Sequence, residues 1–308
     1  HQITIGGTAS TPVGTVLAHK SVLFESVTLK VTSAGLLSGT SLGYIRDQGP
    51  GASQLSIKLG NLPKTNTGGS HGGRGGSQSG SLAGAEGGYG SYLMPLTMGS
   101  GGSSAEVHAG AGGSAIRIKV TNLEVEGTIT VDGAKGSDIA SSSHGGGGGG
   151  AGGSILLEVA AAMTGAGVVR AIGGAASTGD NGNHGTAGGG GRSALYCNQN
   201  LFTGSWQMHG GKGISNDRQR TDGGAGTTYI DCNNQVKHLT LDNANYENQY
   251  SSLITNFNQT RFEVNIFDVR GNGVVAFKPE AVADSAPVVV DIETQQGDQT
   301  GTLNIILN

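Results

Sequence analysis

Apolar and polar residues alternate in short runs along this chain, and one such run returns three and a half times between Gly112 and Cys232. The copies open with glycines and a strand: GGSAIRIKV at 112–120, GGSILLEV at 152–159, GGRSALYC at 190–197 and GAGTTYIDC at 224–232. In the first three a second strand follows: GTITVDG at 127–133, GVVRAIG at 167–173 and GSWQMHG at 204–210. A Gly/Ser-rich insert then leads to the next copy. A period of about 35–40 residues is that of a solenoid or array.

Alternate residues of a strand point to opposite faces. One face of the first strand carries Ile116, Ile118 and Val120, then Ile155, Leu157 and Val159, then Ser193, Leu195 and Cys197, then Thr228, Ile230 and Cys232. The other face, Arg117/Lys119, Leu156/Glu158, Ala194/Tyr196 and Tyr229/Asp231, is mostly polar and reads as outward. In the second strand Ile129/Val131, Val169/Ala171 and Trp206/Met208 point inward. A further apolar anchor follows each first strand at Leu123, Met163, Leu201 and Val236. Equivalent positions share one chemistry, so the copies are expected to stack as coils of a right-handed parallel β-helix, an all-β solenoid.

Three regions follow. Residues 1–98 read as irregular N-terminal coils, with strands at HQITIGG, SVTLKV and QLSIKLGNL; the last places Leu55, Ile57 and Leu59 inward and Leu62 as anchor. Residues 99–235 are the regular Gly-rich repeats. Residues 236–308 lose glycine and read as further coils or as a small β domain. The stretch 68–90 follows GGxGGx, a period that suits polyglycine-type helices with three residues per turn, or else a flexible loop. Related inserts at 99–113, 134–153, 174–191 and 211–226 fall at one point of the repeat, which puts them on one corner of the coil.

A glycine run, an alternating strand, GxGxIxAxGG and a Gly-rich insert together resemble the glycine-rich parallel β-helix repeats of adhesin-like extracellular surface proteins. The resemblance covers about residues 100–232. It implies a structural or adhesive role outside the cell.

Glycine is 59 of 308 residues, far above the ordinary ~7%, and charged residues are 13% against ~25%. The Val/Ile/Leu strands between the glycines argue for folding rather than disorder. A net charge of −4 without a Lys/Arg cluster excludes nucleic acid as an expected partner. No apolar run approaches the ~18 residues of a membrane-spanning helix. The chain opens at His1, not Met, which is expected of a removed signal peptide or of a trimmed chain, and a secreted or cell-surface location is expected.

Candidate chemistry is sparse. Outward columns offer Lys119, Glu158, Tyr196 and Asp231 on one sheet, and Asp132, Arg170 and His209 on the other. Lys119 over Glu158 and Arg170 near Asp132 read as surface ion pairs. No two acids share a face of adjacent repeats, so no catalytic residue and no cofactor are assigned. The insert histidines His71, His108, His144 and His184 are out of register and read as solvated rather than metal-binding. Asp132, Asp138, Asp180 and Asp222 offer at most weak Ca²⁺ contacts, since the GGxGxDxUx repeat is absent. Asn258, in NQT, is an N-glycosylation acceptor in a eukaryotic secreted chain.

Three specific expectations remain. Cys197 and Cys232 occupy equivalent positions of adjacent coils ~4.8 Å apart, within the ~4.4–6.8 Å a disulfide spans. Asn198 and Asn233 follow them and should start an amide ladder. The terminal strands expose Ile3 and Ile5 at one end and Leu303, Ile305 and Leu307 at the other, without Pro, Lys or Glu to blunt an edge. Partners are therefore expected to be further copies joined head to tail, or neighbouring repeats of a longer chain, with glycans as the alternative.

Overall fold

The computed structural model describes residues 1–6, 14–52, 66–77, 88–104, 109–138, 145–179, 184–214, 221–233, 235–246, 252–254, 261–277 and 289–305. Among these residues the chain is all-β and has no helix. Six long strands, β1 (Gln2–Ile5), β3 (Ser21–Val31), β5 (Ala115–Val125), β7 (Ser154–Gly165), β9 (Arg192–Phe202) and β11 (Thr227–Cys232), pair in parallel in that order. Short strands β2 (Thr15–Leu17), β4 (Leu36–Ser38), β6 (Thr128–Thr130), β8 (Val168–Arg170) and β10 (Ser205–Gln207) form a second parallel sheet in matching order. Each of the first five coils gives one strand to each sheet, an arrangement compatible with a β-solenoid.

The period-two reading assigns the core correctly. Ile116, Ile118, Val120, Ile155, Leu157, Val159 and Leu195 are buried against Leu37, Ile129, Val131, Val169 and Ala171 of the short strands. Strand β5 bends after its first half. Val120 and Leu123 are both buried while Thr121 and Asn122 are exposed, so inward positions change from even to odd. The anchors Leu123 and Met163 belong to this second half and continue the column of Leu29. The anchors expected at Leu201 and Val236 are instead 55% and 51% exposed. A bulge in β7 shifts the register between Val159 and Ala162, so Asn200 pairs with Met163 and Leu201 turns outward. Phe202 packs on Trp206 with ring centroids 5.6 Å apart, next to the core.

The strand expected at 54–62 lies outside the described residues. Strands β3 and β5 pair directly, from Ser21↔Ala115 to Val31↔Val125. The described residues between β4 and β5, 39–52, 66–77, 88–104 and 109–114, form an excursion from the stack.

That excursion and the inserts build a bundle of extended, glycine-rich segments. The segment 145–153 lies at its centre. Gly148, Gly149 and Gly150 donate to Ser103, Thr186 and Ala134, in three different segments, at 3.1, 2.8 and 2.9 Å. Ala151, Gly152 and Gly153 then repeat the cycle to Ser100, Gly189 and Val131 of those same segments. The carbonyls of Gly148, Gly149 and Gly150 accept from Gly110, Gly69 and Gly174, in three further segments. Six neighbours and a three-residue period are the bonding of a polyglycine-type lattice, whose helices have no internal hydrogen bonds. Glycine is required because the backbones touch. A Cβ on Gly148, Gly149 or Gly150 would lie 1.9, 2.2 or 2.0 Å from a neighbouring carbonyl oxygen.

The stack reverses at β11. Strand β12 (His238–Asp242) pairs antiparallel with it, and β14 (Arg261–Arg270) and β16 (Val289–Gln296) follow parallel to β12. Strands β13 (Ser252–Ile254), β15 (Val274–Phe277) and β17 (Thr302–Ile305) form a three-stranded partner sheet. Leu239 pairs with Tyr229, which points away from the first core, and cross-strand partners share a face. The second core, with Leu239, Leu241, Phe267, Val269 and Val275, thus lies on the opposite face of the same sheet. Reversing strand direction and swapping the buried face together preserve the hand of the crossovers, which twisted strands strongly prefer.

Candidate functional site

The outward face of the first stack is not open along its whole width. A strap formed by residues 88–98 runs over it. Tyr92 is buried, edge-on to Tyr229 at 5.6 Å and stacked with Phe262 at 6.5 Å, and it joins Leu156 and Ala194 in the second core. This half of the face, expected to be outward and mostly polar, is an apolar contact because the strap and the C-terminal coils cover it.

Buried polar groups hold the strap. His71, expected to be solvated, is fully buried. Its Nδ1 lies 2.8 Å from the Gly152 carbonyl and its Nε2 lies 2.8 Å from the Thr97 hydroxyl. A carbonyl only accepts, so the neutral ring carries its proton on Nδ1 and accepts from Thr97 at Nε2. Burial, aided by the charge of Arg192, pushes this imidazole down from 6.5 to about 3. Arg192 is itself buried and donates from Nε to the Tyr89 carbonyl at 3.0 Å. Ser154 donates to the Thr97 carbonyl at 2.6 Å, and Tyr196 to that of Leu93 at 2.7 Å.

Beside the strap an open groove of about 660 Å³ follows the bend in the long strands. Its length is marked by one residue from each coil: Glu25, Lys119, Glu158, Tyr196 and Asn233. Met94, 44% exposed, stands on the strap side. The expected Lys119–Glu158 pair does not form. Arg117, two residues earlier on the same face, takes Glu158 with both fork nitrogens at 2.6 and 3.0 Å, and Lys119 turns to Glu25 at 3.3 Å. Tyr196 and Tyr229 have their phenol groups pushed up, by burial first and by Asp231 second.

The disulfide between Cys197 and Cys232 forms, with Cα atoms 4.5 Å apart. Asn233 Nδ2 donates to Asn198 Oδ1 at 3.3 Å, so the amide ladder starts where expected, and Asn200 continues it to Gln235 at 3.4 Å. Arg170 pairs with Asp132 at 2.6 Å. The aspartates considered for Ca²⁺ serve the coils instead. Asp132 accepts the Ile172 amide and Asp138 the Thr178 amide, each 40 residues on, and Asp222 accepts that of Gly213. Among the described residues no group of three His, Cys, Asp or Glu could hold a metal. Asp180, His108, His144, Asn258 and Leu307 lie outside the described residues.

The expected assembly ends divide. Ile3 is half-buried, Ile5 is buried in the core against Val31, and Leu303 and Ile305 lie on β17, paired with Val275 and Phe277. Sequence reasoning missed the strap, although YLMPLTM at 92–98 is an apolar run within glycine-rich sequence. It also missed Glu263 and Asp291, two exposed acids that are direct cross-strand partners in the C-terminal coils.

Compared with protein-family models, curated proteins and solved structures, the chain matches none. The likeness to glycine-rich β-helix repeats rests on the residues that carry it.

Proposed function

We propose that this is an extracellular structural protein, a filament, fibre or surface-layer subunit built on a right-handed parallel β-helix. One observation carries the reading. Among the described residues β1 pairs on one side only, with β3, and β16 on one side only, with β14. Open ladder edges at both ends of a stack invite continuation. A joint between β16 of one copy and β1 of the next would be antiparallel with cores on opposite faces. The molecule already contains that joint at β11–β12. Such contacts do not close and build filaments, or they continue into neighbouring repeats of a longer chain. The disulfide fits an oxidising compartment, and no helix among the described residues is long and apolar enough to cross a membrane. The role is read as non-enzymatic, because Glu25 and Glu158 in the groove each face a cation and are separated by Lys119.

Sedimentation and electron microscopy of the pure protein over rising concentration test this. Ordered polymers without added ligand are expected, and a strictly monomeric protein at high concentration overturns the reading. A second reading, an adhesin-type module for a glycan or cell-surface receptor, is favoured by the outer groove.

A further inference from the structure

We infer that the groove beside the strap binds an uncharged, extended polysaccharide lying along the stack axis, with the ring of Tyr196 as its platform. This rests on the adhesive reading and gives it a site and a ligand class.

Charge argues for a neutral ligand. Glu158 is matched by Arg117 and Glu25 by Lys119, so the lining charges close in pairs, and Asp231 beside Tyr196 disfavours a polyanion. Shape argues for an extended one. The residues that mark it come from four successive strands of the long sheet, β3, β5, β7 and β9, and from Asn233 just past the end of β11, and four steps of ~4.8 Å give a track of about 19 Å. Each step presents one side chain to one unit of a periodic chain.

The main chain argues against a peptide added as a strand. β5, β7 and β9 are already paired on both sides, so no ladder edge faces the groove. What remains is side-chain recognition. Tyr196 spends its hydroxyl on the Leu93 carbonyl, which locks the ring beside Met94 and leaves it as an apolar body for the C–H face of a sugar. Asn198 and Asn233 are exposed at one end and use only part of their four-bond capacity on each other, which leaves donors and acceptors for hydroxyl groups. The groove is held open by these bonds before any ligand arrives, so little ordering is required on binding.

The test is an array of neutral oligohexosides and acidic oligouronates of increasing length, followed by titration of the best binder with the full chain. Neutral oligomers are expected to bind, more tightly with length and with little dependence on salt. Tyr196→Phe, which keeps the ring but loses the bond to Leu93 that holds it, should weaken binding less than Tyr196→Ala, which should lose about tenfold, or ~1.4 kcal/mol. Asn198→Ala, an exposed change, should weaken binding severalfold while costing the fold no more than the one exposed bond to Asn233, which guards against misfolding of the first variant. Salt-sensitive binding of uronates alone, or of a protein receptor alone, overturns the proposal. If the protein binds a glycan but both groove variants leave that unchanged, the adhesive reading stands and this site falls. If no glycan binds, this site falls and the adhesive reading is left with a cell-surface receptor alone.

Discussion

His71 is a large side chain inside a lattice of glycines, and its chemistry sets an acid limit on the fold. In the unfolded chain it takes up a proton near its ordinary 6.5, while in the folded protein it stays neutral down to about 3. The unfolded state therefore binds more protons between those values. Stability is full above pH 6.5 and falls as pH is lowered toward 3, by up to a factor of ten in the folding equilibrium per pH unit. His238, lowered chiefly by burial, acts in the same sense. Asp138 and Asp298, held down to about 2 first by their bonds to Lys135 and Thr300, add acid lability only below their ordinary 3.8. Denaturant melts between about pH 4 and 6.5 should flatten in His71→Gln; an unchanged slope would count against a buried neutral ring. At the lattice centre Gly150→Ala puts a Cβ 2.0 Å from the Ala111 carbonyl. Backbone cannot move aside as a side chain can, so a loss of ~3 kcal/mol or more is expected, at the upper end of overpacking. A melt within error of wild type would refute the lattice packing at that residue.

At the level of the element, β9 and β11 are the last parallel pair before the reversal, and the disulfide ties them across 35 residues. Closing a loop of that length lowers the entropy of the unfolded chain by about 3–4 kcal/mol in the chain-entropy account. Reduction, or the double Cys197→Ser/Cys232→Ser change, should lower stability by that order in chemical denaturation, and no change would mean that the bridge constrains nothing. The neighbouring amide ladder is exposed, so Asn233→Ala should cost about 0.5 kcal/mol, the low end for one hydrogen bond. The insert pairs behave as elements too. Gly185, Gly188 and Gly191 donate back to Ser177, Gly174 and Ala171, an antiparallel pair bonded at every third residue.

Across the whole molecule two cores share one sheet from opposite faces, and Tyr92 is packed with the second. In stacked architectures each unit leans mainly on its neighbours, so local stability is free to differ along the axis. Phe267 is fully buried in the second core. Phe267→Ala should cost ~3–5 kcal/mol there. Hydrogen exchange should then show faster exchange in β12 and β14 while β5, β7 and β9 stay protected. Uniform loss of protection would mean that both cores unfold as one unit.

The alternation of GGSAIRIKV and its copies was enough to place Ile116, Ile155 and Leu195 inward, to stack the coils in register and to pair Cys197 with Cys232. Those are properties of a period-two backbone with a fixed strand spacing, and each can be counted along the chain. The glycine runs likewise carried the three-residue period of the lattice. The strap, the burial of His71 and the partner of Lys119 were not legible. The first two depend on which distant segment arrives above a given face, as Tyr92 does over Leu156, and the last on which of two cations of the adjacent strand, Arg117 or Lys119, reaches Glu158. The reversal at β12 belongs with them. Local alternation is the same whichever face is buried, and only the requirement to keep one crossover hand through a change of strand direction moved the second core to the other side.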